Sequence, residues 1–335
     1  MMQIKAIISP KIRPRQGKPG GVGWAQSLFF FVLMVLCFSP PVSQATGGNL
    51  VAFVRGGNIW VAHSDGSGSR QLTTSGRAGA PALSPDGQWV AFTNREGEKL
   101  GIHLVPTKGG PVKHLNLPGI SEAWGPAFTP DGKGLAVVTR FNIKKRRMDG
   151  ETQEFATHAI SLVDMATGKI RHIVQTPDHY WDMGDIYDNL AVSPDGRLLA
   201  YQQSGTDVSG GFVVLNLKGQ EILHFPKNSE DYRPFWRPTF SPDGAKMLCF
   251  SMATIMGEPT YIYLVDLKTL KASRITEGYY PTFVDGGQAL VFERWTETGK
   301  PGRDSVKIDL WRLDQSFGSQ PRRILQNAEK PAGSG

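Results

Sequence analysis

The sequence predicts an all-β protein: a six-bladed β-propeller of four-stranded antiparallel blades, preceded by a signal peptide. Three observations predict it. A tight-turn motif recurs at blade spacing, a short run of β-branched and aromatic residues follows it, and two further strand-like runs joined by a short turn complete each unit.

The turn motif reads Pro-Ala-Leu-Ser-Pro-Asp-Gly from Pro81 to Gly87, Pro-Ala-Phe-Thr-Pro-Asp-Gly from Pro126 to Gly132, Leu-Ala-Val-Ser-Pro-Asp-Gly from Leu190 to Gly196 and Pro-Thr-Phe-Ser-Pro-Asp-Gly from Pro238 to Gly244. A fifth copy, Pro281 to Gly286, lacks the second proline. The aspartates at 86, 131, 195, 243 and 285 are 45, 64, 48 and 42 residues apart, the interval of propeller blades with one insertion. Proline presets φ at the first corner, aspartate caps the turn and glycine accepts positive φ, so each unit opens with a hairpin.

Taken in order, the second strands fall at Leu50–Phe53, Trp89–Phe92, Leu135–Val138, Leu198–Tyr201, Met247–Phe250 and Leu290–Phe292. Third strands follow at Ile59–His63, Ile102–Val105, Ala159–Asp164, Phe212–Asn216, Tyr261–Asp266 and Leu310–Asp314. Fourth strands lie at Arg70–Thr73, Val112–Leu115, Ile170–Val174, Glu221–Phe225, Ser273–Thr276 and Arg322–Leu325. The first unit lacks an innermost strand of its own, and nothing in its sequence says how the ring is latched. Sheets with two apolar faces bury both only when arranged radially, which argues for closure.

Ahead of the repeats, Lys5, Lys11, Arg13, Arg15 and Lys18 precede an apolar run from Leu28 to Phe38 and a small-residue pattern ending at Ala45. That is the layout of a cleaved export signal, with the apolar run too short to span a bilayer. An uncleaved anchor is the alternative. Cys37 follows Leu36, which does not suit a lipoprotein cysteine. The expected organisation is a signal peptide over 1–45, the propeller over 46–326 and a flexible tail over 327–335. The location is periplasmic or secreted, with no stable membrane span after cleavage.

Of the 37 basic residues, five sit in the signal, leaving 32 against 30 acidic residues, so the formal charge of +7 drops to +2. No case remains for nucleic acid as a partner. Cys249 is then the sole cysteine, so an internal disulfide is excluded and a buried thiol is expected.

The Ser-Pro-Asp-Gly hairpin, the Ala-Phe or Ala-Tyr that follows it, and Arg70-Gln71-Leu72-Thr73 together resemble the TolB-type propeller repeat, over residues from about 50 to about 325. The resemblance implies the propeller fold. The same repeat occurs in propeller domains of prolyl-oligopeptidase-type peptidases and in many envelope proteins, so it does not fix function. The α/β domain that precedes the propeller of TolB finds no residues here, and no Gly-x-Ser-x-Gly elbow marks a hydrolase domain. The expectation is a stand-alone propeller without a full Tol-Pal role.

First-to-second and third-to-fourth turns are short and share one face, for example Ser64-Asp65-Gly66 and Thr107-Lys108-Gly109. Long connections at Arg140–Thr157, Thr176–Asn189, Met252–Pro259 and Arg294–Lys307 collect on the other. Binding residues concentrate on such elaborated faces. The expected rim of the channel there is Trp124, Tyr187, Asp188, Arg233, Trp236, Arg237 and Tyr280, residue types that binding hot spots favour. Packing between blades is the competing role, above all for Phe235.

Other features carry less. Lys144–Arg147 reads as a solvated loop. Asp178, His179, Asp182, Asp185 and Asp188 lack the spacing of a calcium loop, and the remaining histidines, at 63, 103, 114, 158, 172 and 224, sit singly on strands. No metal, cofactor or catalytic residue is therefore assigned. The expected function is a non-catalytic protein-interaction module of the cell envelope, taking an envelope protein or peptide. The alternatives are a carbohydrate lyase or hydrolase using Asp188, Arg237 and Tyr280, or a sensor of a glycan or small ligand.

Overall fold

The computed structural model describes residues 49–148, 150–180, 186–205, 208–226, 235–251, 259–298, 306–314 and 319–333. The expected signal over 1–45 lies outside them, as does Arg233. Six four-stranded antiparallel sheets make up the fold. Blade 2 is Ala78–Leu83, Trp89–Glu96, Lys99–Pro106 and Lys113–His114. Blade 3 is Glu122–Phe128, Gly134–Met148, Glu151–Asp164 and Ile170–Tyr180, and blade 4 is Ile186–Val192, Leu198–Gly205, Val208–Asn216 and Glu221–Phe225. Blade 5 is Phe235–Phe240, Lys246–Ser251, Tyr261–Asp266 and Ala272–Glu277, and blade 6 is Tyr279–Val284, Ala289–Glu297, Val306–Asp314 and Arg322–Leu325.

Blade 1 is built differently. Leu50–Arg55, Asn58–His63 and Arg70–Gln71 take their innermost strand from the far end of the chain, Glu329–Gly333, which pairs antiparallel with Leu50–Arg55. The expected flexible tail over 327–335 is thus corrected: its residues Glu329–Gly333 form the strand that closes the ring. The missing strand of the first unit and the surplus residues at the end are one element. Each innermost strand contacts the next, including that of blade 6 with Glu329–Gly333 and Glu329–Gly333 with that of blade 2.

The turns fold as their residues require. Ser84 Oγ donates to Asp86 Oδ1 at 2.6 Å and accepts from the N–H of Trp89 at 2.9 Å, while Gly87 has φ +67°. Thr129 with Asp131, Ser193 with Asp195 and Ser241 with Asp243 repeat the arrangement. The second proline has a role beyond presetting φ. A Cβ at Gly132, Gly196, Gly244 or Gly287 would stand 3.1–4.0 Å from the ring of Pro85, Pro130, Pro194 or Pro242, so each proline lies on the glycine of the following blade's turn.

The copy without that proline solves the junction with blade 1 by charge. Asp285 accepts from Ser64 Oγ at 2.8 Å and from Arg312 Nη1 at 2.5 Å, and Arg312 also donates to Ser64 Oγ at 2.8 Å.

Six apolar clusters lie between adjacent blades, one at each junction. Val54 and Ile59 meet Val90 and Phe92 between blades 1 and 2, and Leu248 and Ile262 meet Phe283 and Phe292 between blades 5 and 6. Alternate side chains of one strand therefore serve opposite junctions, as the period of two demands. Cys249 is fully buried, and burial pushes its thiol up, which makes it inert. No helix among the described residues is long and apolar enough to cross a membrane.

Candidate functional site

Each innermost strand carries the same defect. Its pairing with the second strand slips between Gly79 and Ala82, Trp124 and Ala127, Asp188 and Ala191, Trp236 and Thr239, Tyr279 and Thr282, and at the corresponding place in Glu329–Gly333. The bulged residues Ala80, Gly125, Asn189, Arg237, Tyr280 and Lys330 have φ between 45 and 62°. Five of the six precede a proline, which lacks an N–H and so leaves no donor unpaired where the ladder breaks. Left-handed backbone at residues other than glycine stores strain and clusters at functional sites.

The register places Thr93, Val138, Gln202, Phe250, Glu293 and Val54 opposite the residues just before the bulges. They are polar in blades 2, 4 and 6, and there each accepts the bulge N–H of the next blade. Gly125 donates to Thr93 Oγ1 at 3.0 Å, Arg237 to Gln202 Oε1 at 3.4 Å and Lys330 to Glu293 Oε1. Asn189 instead gives its N–H to Asp188 Oδ1 at 2.8 Å and its side-chain amide to Gln202 at 2.7 Å.

This backbone brings ionisable groups of four blades to one mouth of the channel, the mouth where the second strands end. The guanidinium of Arg237 lies 4.9 Å over the ring of Tyr280 and donates from Nη2 to the carbonyl of Pro331 at 3.2 Å. Burial lowers the Arg237 guanidinium from its ordinary value, opposed by Tyr280, Glu293 and Asp188. Burial raises the carboxyl of Asp188, opposed by the Asn189 N–H and the charges of Arg237 and Lys330. Glu293 is likewise raised by burial, opposed by the Lys330 N–H, the Trp295 indole N–H at 2.6 Å and Arg237. Burial raises the Tyr280 phenol too, with Arg237 acting against it and the carboxylates of Glu293, Asp188 and Glu329 adding to it.

The ion pairs of Arg140 with Glu122 and Glu154 lie further along blade 3, and no ionisable side chains stand at the bulges of blades 2 and 3. Gly79, Ala80 and Gly125 form their stretch of the wall; a Cβ at Gly79 would meet nothing within 4 Å, and one at Gly125 would stand 3.6 Å from Asp188 Oδ1. In a ring of six, Arg237 lies across from Ala80 and Tyr280 across from Gly125. Four blades thus bring ionisable groups to the bulges, and two bring small or apolar residues.

Of the residues predicted to rim the channel, the structure brings Asp188, Arg237 and Tyr280 together. Trp124 and Trp236 are half-buried and pack in the clusters between blades 3 and 4 and between blades 5 and 6, Trp124 edge-on to His158 at 6.1 Å. Tyr187 is only 4% exposed, with its hydroxyl 2.6 Å from Thr176 Oγ1 and its ring edge-on to Tyr201. It belongs to the core rather than the rim, because one step along a strand reverses the side chain. Asn189, Gln202, Glu293, Glu329 and Lys330 were not anticipated. The last two have a signal in Pro331-Ala332, which repeats Pro81-Ala82 and Pro126-Ala127.

The expected long loops are largely strand. Gly134–Met148 and Glu151–Asp164 form one extended ribbon, so Lys144–Arg147 is an exposed strand facing Glu154 and Thr152 rather than a loop. Arg294–Glu297 pairs with Val306–Asp309, and Ile170–Tyr180 runs on beyond Thr176. Met252–Glu258 and Trp181–Asp185 lie outside the described residues. On the blade 6 ribbon Trp295 is 45% exposed and stacked 4.3 Å from Tyr279, an aromatic platform beside the mouth.

No protein-family model matches the chain. Tricorn protease homolog 1 of Streptomyces coelicolor is 24% identical over 283 residues, 83% of this chain and 24% of that protein. The chain spans at most 24% of the curated relatives it matches. Among solved structures, TolB from Acinetobacter baumannii aligns with a TM-score of 0.61 at 18% identity, covering 85% of this chain and 66% of that one. An oligogalacturonate lyase in complex with manganese aligns with a TM-score of 0.51 at 17% identity, covering 80% and 70%. In fold the chain is a TolB-like six-bladed propeller.

Proposed function

We propose that the chain is an exported binding module of the cell envelope, and that a segment of a partner protein or peptide is recognised at the channel mouth carrying Asp188, Arg237 and Tyr280. One observation carries this reading: Asp188, Arg237, Tyr280 and Lys330, ionisable residues of four blades, stand at or next to the bulges, where blades 2 and 3 place Gly79, Ala80 and Gly125. A rigid, partly desolvated charged rim beside free space suits docking, with the charges fixing orientation and aromatic surface giving affinity. The Trp295 and Tyr279 platform extends that surface outward. Among the described residues, the opposite face carries short turns such as Ser84–Gly87 and Thr107–Gly109.

A photo-crosslinking residue at Gly79, where a side chain meets open space, tests the placement against one at Asp65 on the far face. Covalent adducts with a polypeptide from position 79 and none from position 65 support it. Adducts from position 65 with none from position 79 overturn it.

A second reading, an enzyme acting on carbohydrate, has one observation in its favour. Burial holds protons on Asp188, Glu293 and Tyr280 beyond their ordinary ranges beside the Arg237 cation, the kind of grouping that general acid–base chemistry uses. The shared fold with an oligogalacturonate lyase makes uronate oligosaccharides the first substrates to try. Chain cleavage that is lost in Tyr280→Phe favours the enzyme; binding without cleavage favours a glycan receptor.

A further inference from the structure

Away from the channel, the outer strands of blade 2 bring two histidines and a glutamate together. His103 and His114 are direct cross-strand partners, with ring centres 4.9 Å apart. His103 also pairs with Phe92, and Glu96 lies four residues beyond Phe92 on the same face of the second strand, with Oε1 2.8 Å from His103 Nε2. One donor atom from each of the three lies within 4.8 Å of the other two. Gly101, two residues before His103, keeps the space between the imidazoles open, since a Cβ there would press to 3.3 Å from His114 Nε2 and 3.6 Å from His103 Cε1.

His103 is only 5% exposed, and its Nδ1 faces the carbonyl of Gly101 at 3.4 Å. In the tautomer that donates from Nδ1 to that carbonyl, Nε2 presents its lone pair toward Glu96 and His114, the form in which an imidazole binds a metal. A backbone carbonyl on the far nitrogen is the usual support of a metal-bound imidazole.

We propose that Glu96, His103 and His114 bind a divalent transition metal, with Zn2+ the best match. Two imidazoles and a carboxylate are a zinc ligand set that leaves a fourth position for water or a group from outside, whereas Mg2+ and Ca2+ take oxygen ligands. Bond lengths of about 2.0–2.2 Å put tetrahedral ligand atoms about 3.3 Å apart, and rotation of the exposed Glu96 and His114 side chains covers the difference. The ion would tie the two-residue outermost strand, Lys113–His114, to the rest of its blade.

Calorimetric titration of the chelator-treated chain with Zn2+, and with Mg2+ for comparison, tests this. The expected result is one saturable Zn2+ site and none for Mg2+, weakened about tenfold or more in His114→Ala and in Glu96→Gln and unchanged in His63→Ala. Both tested side chains are exposed, and matching circular dichroism without metal establishes that the variants are folded. Absence of saturable Zn2+ binding to the wild-type chain, or binding that survives either substitution, overturns the proposal.

Discussion

Arg237 of blade 5 donates to the main-chain carbonyl of Pro331 at 3.2 Å, so a residue two blades away holds the strand that closes the ring. Its guanidinium reaches that carbonyl across the face of Tyr280 in blade 6. The most prominent charge at the channel mouth therefore has an architectural partner as well as an accessible surface.

Replacing it tests the tether. Arg237→Met keeps the apolar stem and deletes the donor, and is expected to cost about 1.5–3 kcal/mol, the range for a hydrogen bond to a charged group. Urea denaturation at unchanged m-value reads the loss. An unchanged midpoint would mean that Pro331 is held by its ladder alone.

The closing strand has a sharper test. A chain ending at Gln326 loses Glu329–Gly333, leaving the edge of Leu50–Arg55 unpaired and the innermost position of blade 1 vacant. Loss of the single cooperative unfolding transition is expected, read by thermal denaturation. A truncated chain that melts like the full one would show that closure contributes nothing.

The proline-on-glycine contacts between turns separate from backbone strain in a matched pair. Gly109 and Gly287 share φ +86°, but a Cβ at Gly109 meets nothing, whereas one at Gly287 comes to 3.1 Å from Pro242. Gly109→Ala is expected to cost about 1–2 kcal/mol for left-handed backbone alone. Gly287→Ala should cost about 1–3 kcal/mol more through overpacking. Equal losses would leave the contact without an energetic role.

Glu293 gives a pH signature. Burial makes the folded protein hold this proton more tightly than the unfolded chain. The stability it contributes is fully present below the ordinary glutamate value of 4.5 and is lost as pH rises through the raised folded value. Asp188 acts in the same direction. As pH rises above the ordinary glutamate value of 4.5, wild-type stability measured against Glu293→Gln should therefore fall. A difference constant with pH contradicts this.

The propeller was legible because the Asp86, Asp131, Asp195 and Asp243 turns are local, and a local turn writes its whole geometry into four residues. The closing strand was not, because Glu-Lys-Pro-Ala-Gly has no β-branched or aromatic residue and gains its place from pairing with Leu50–Arg55 at the other end of the chain. Asp188, Arg237 and Tyr280 stood out by residue type and by their place before an innermost strand. Which side each faces depends on a bulge, so Tyr187 was misplaced by one step of the pleat. Gln202 and Glu293 each follow the apolar run of a second strand, where a polar residue reads as the strand's end, and their place beside the bulges comes from the neighbouring blade's N–H. His103 and His114 look solitary because they stand eleven positions apart along the chain, while the register sets them side by side.

The measurement that bears most directly on the unequal faces is the affinity for the polypeptide captured by crosslinking, compared between two double variants. Tyr280→Phe with Lys330→Met alters the channel mouth, and Asp65→Ala with Lys218→Ala alters the tight-turn face. The account predicts a loss of about tenfold or more, roughly 1.4 kcal/mol, for the first and no change for the second. Full affinity in the mouth variant, or loss confined to the turn variant, would contradict it.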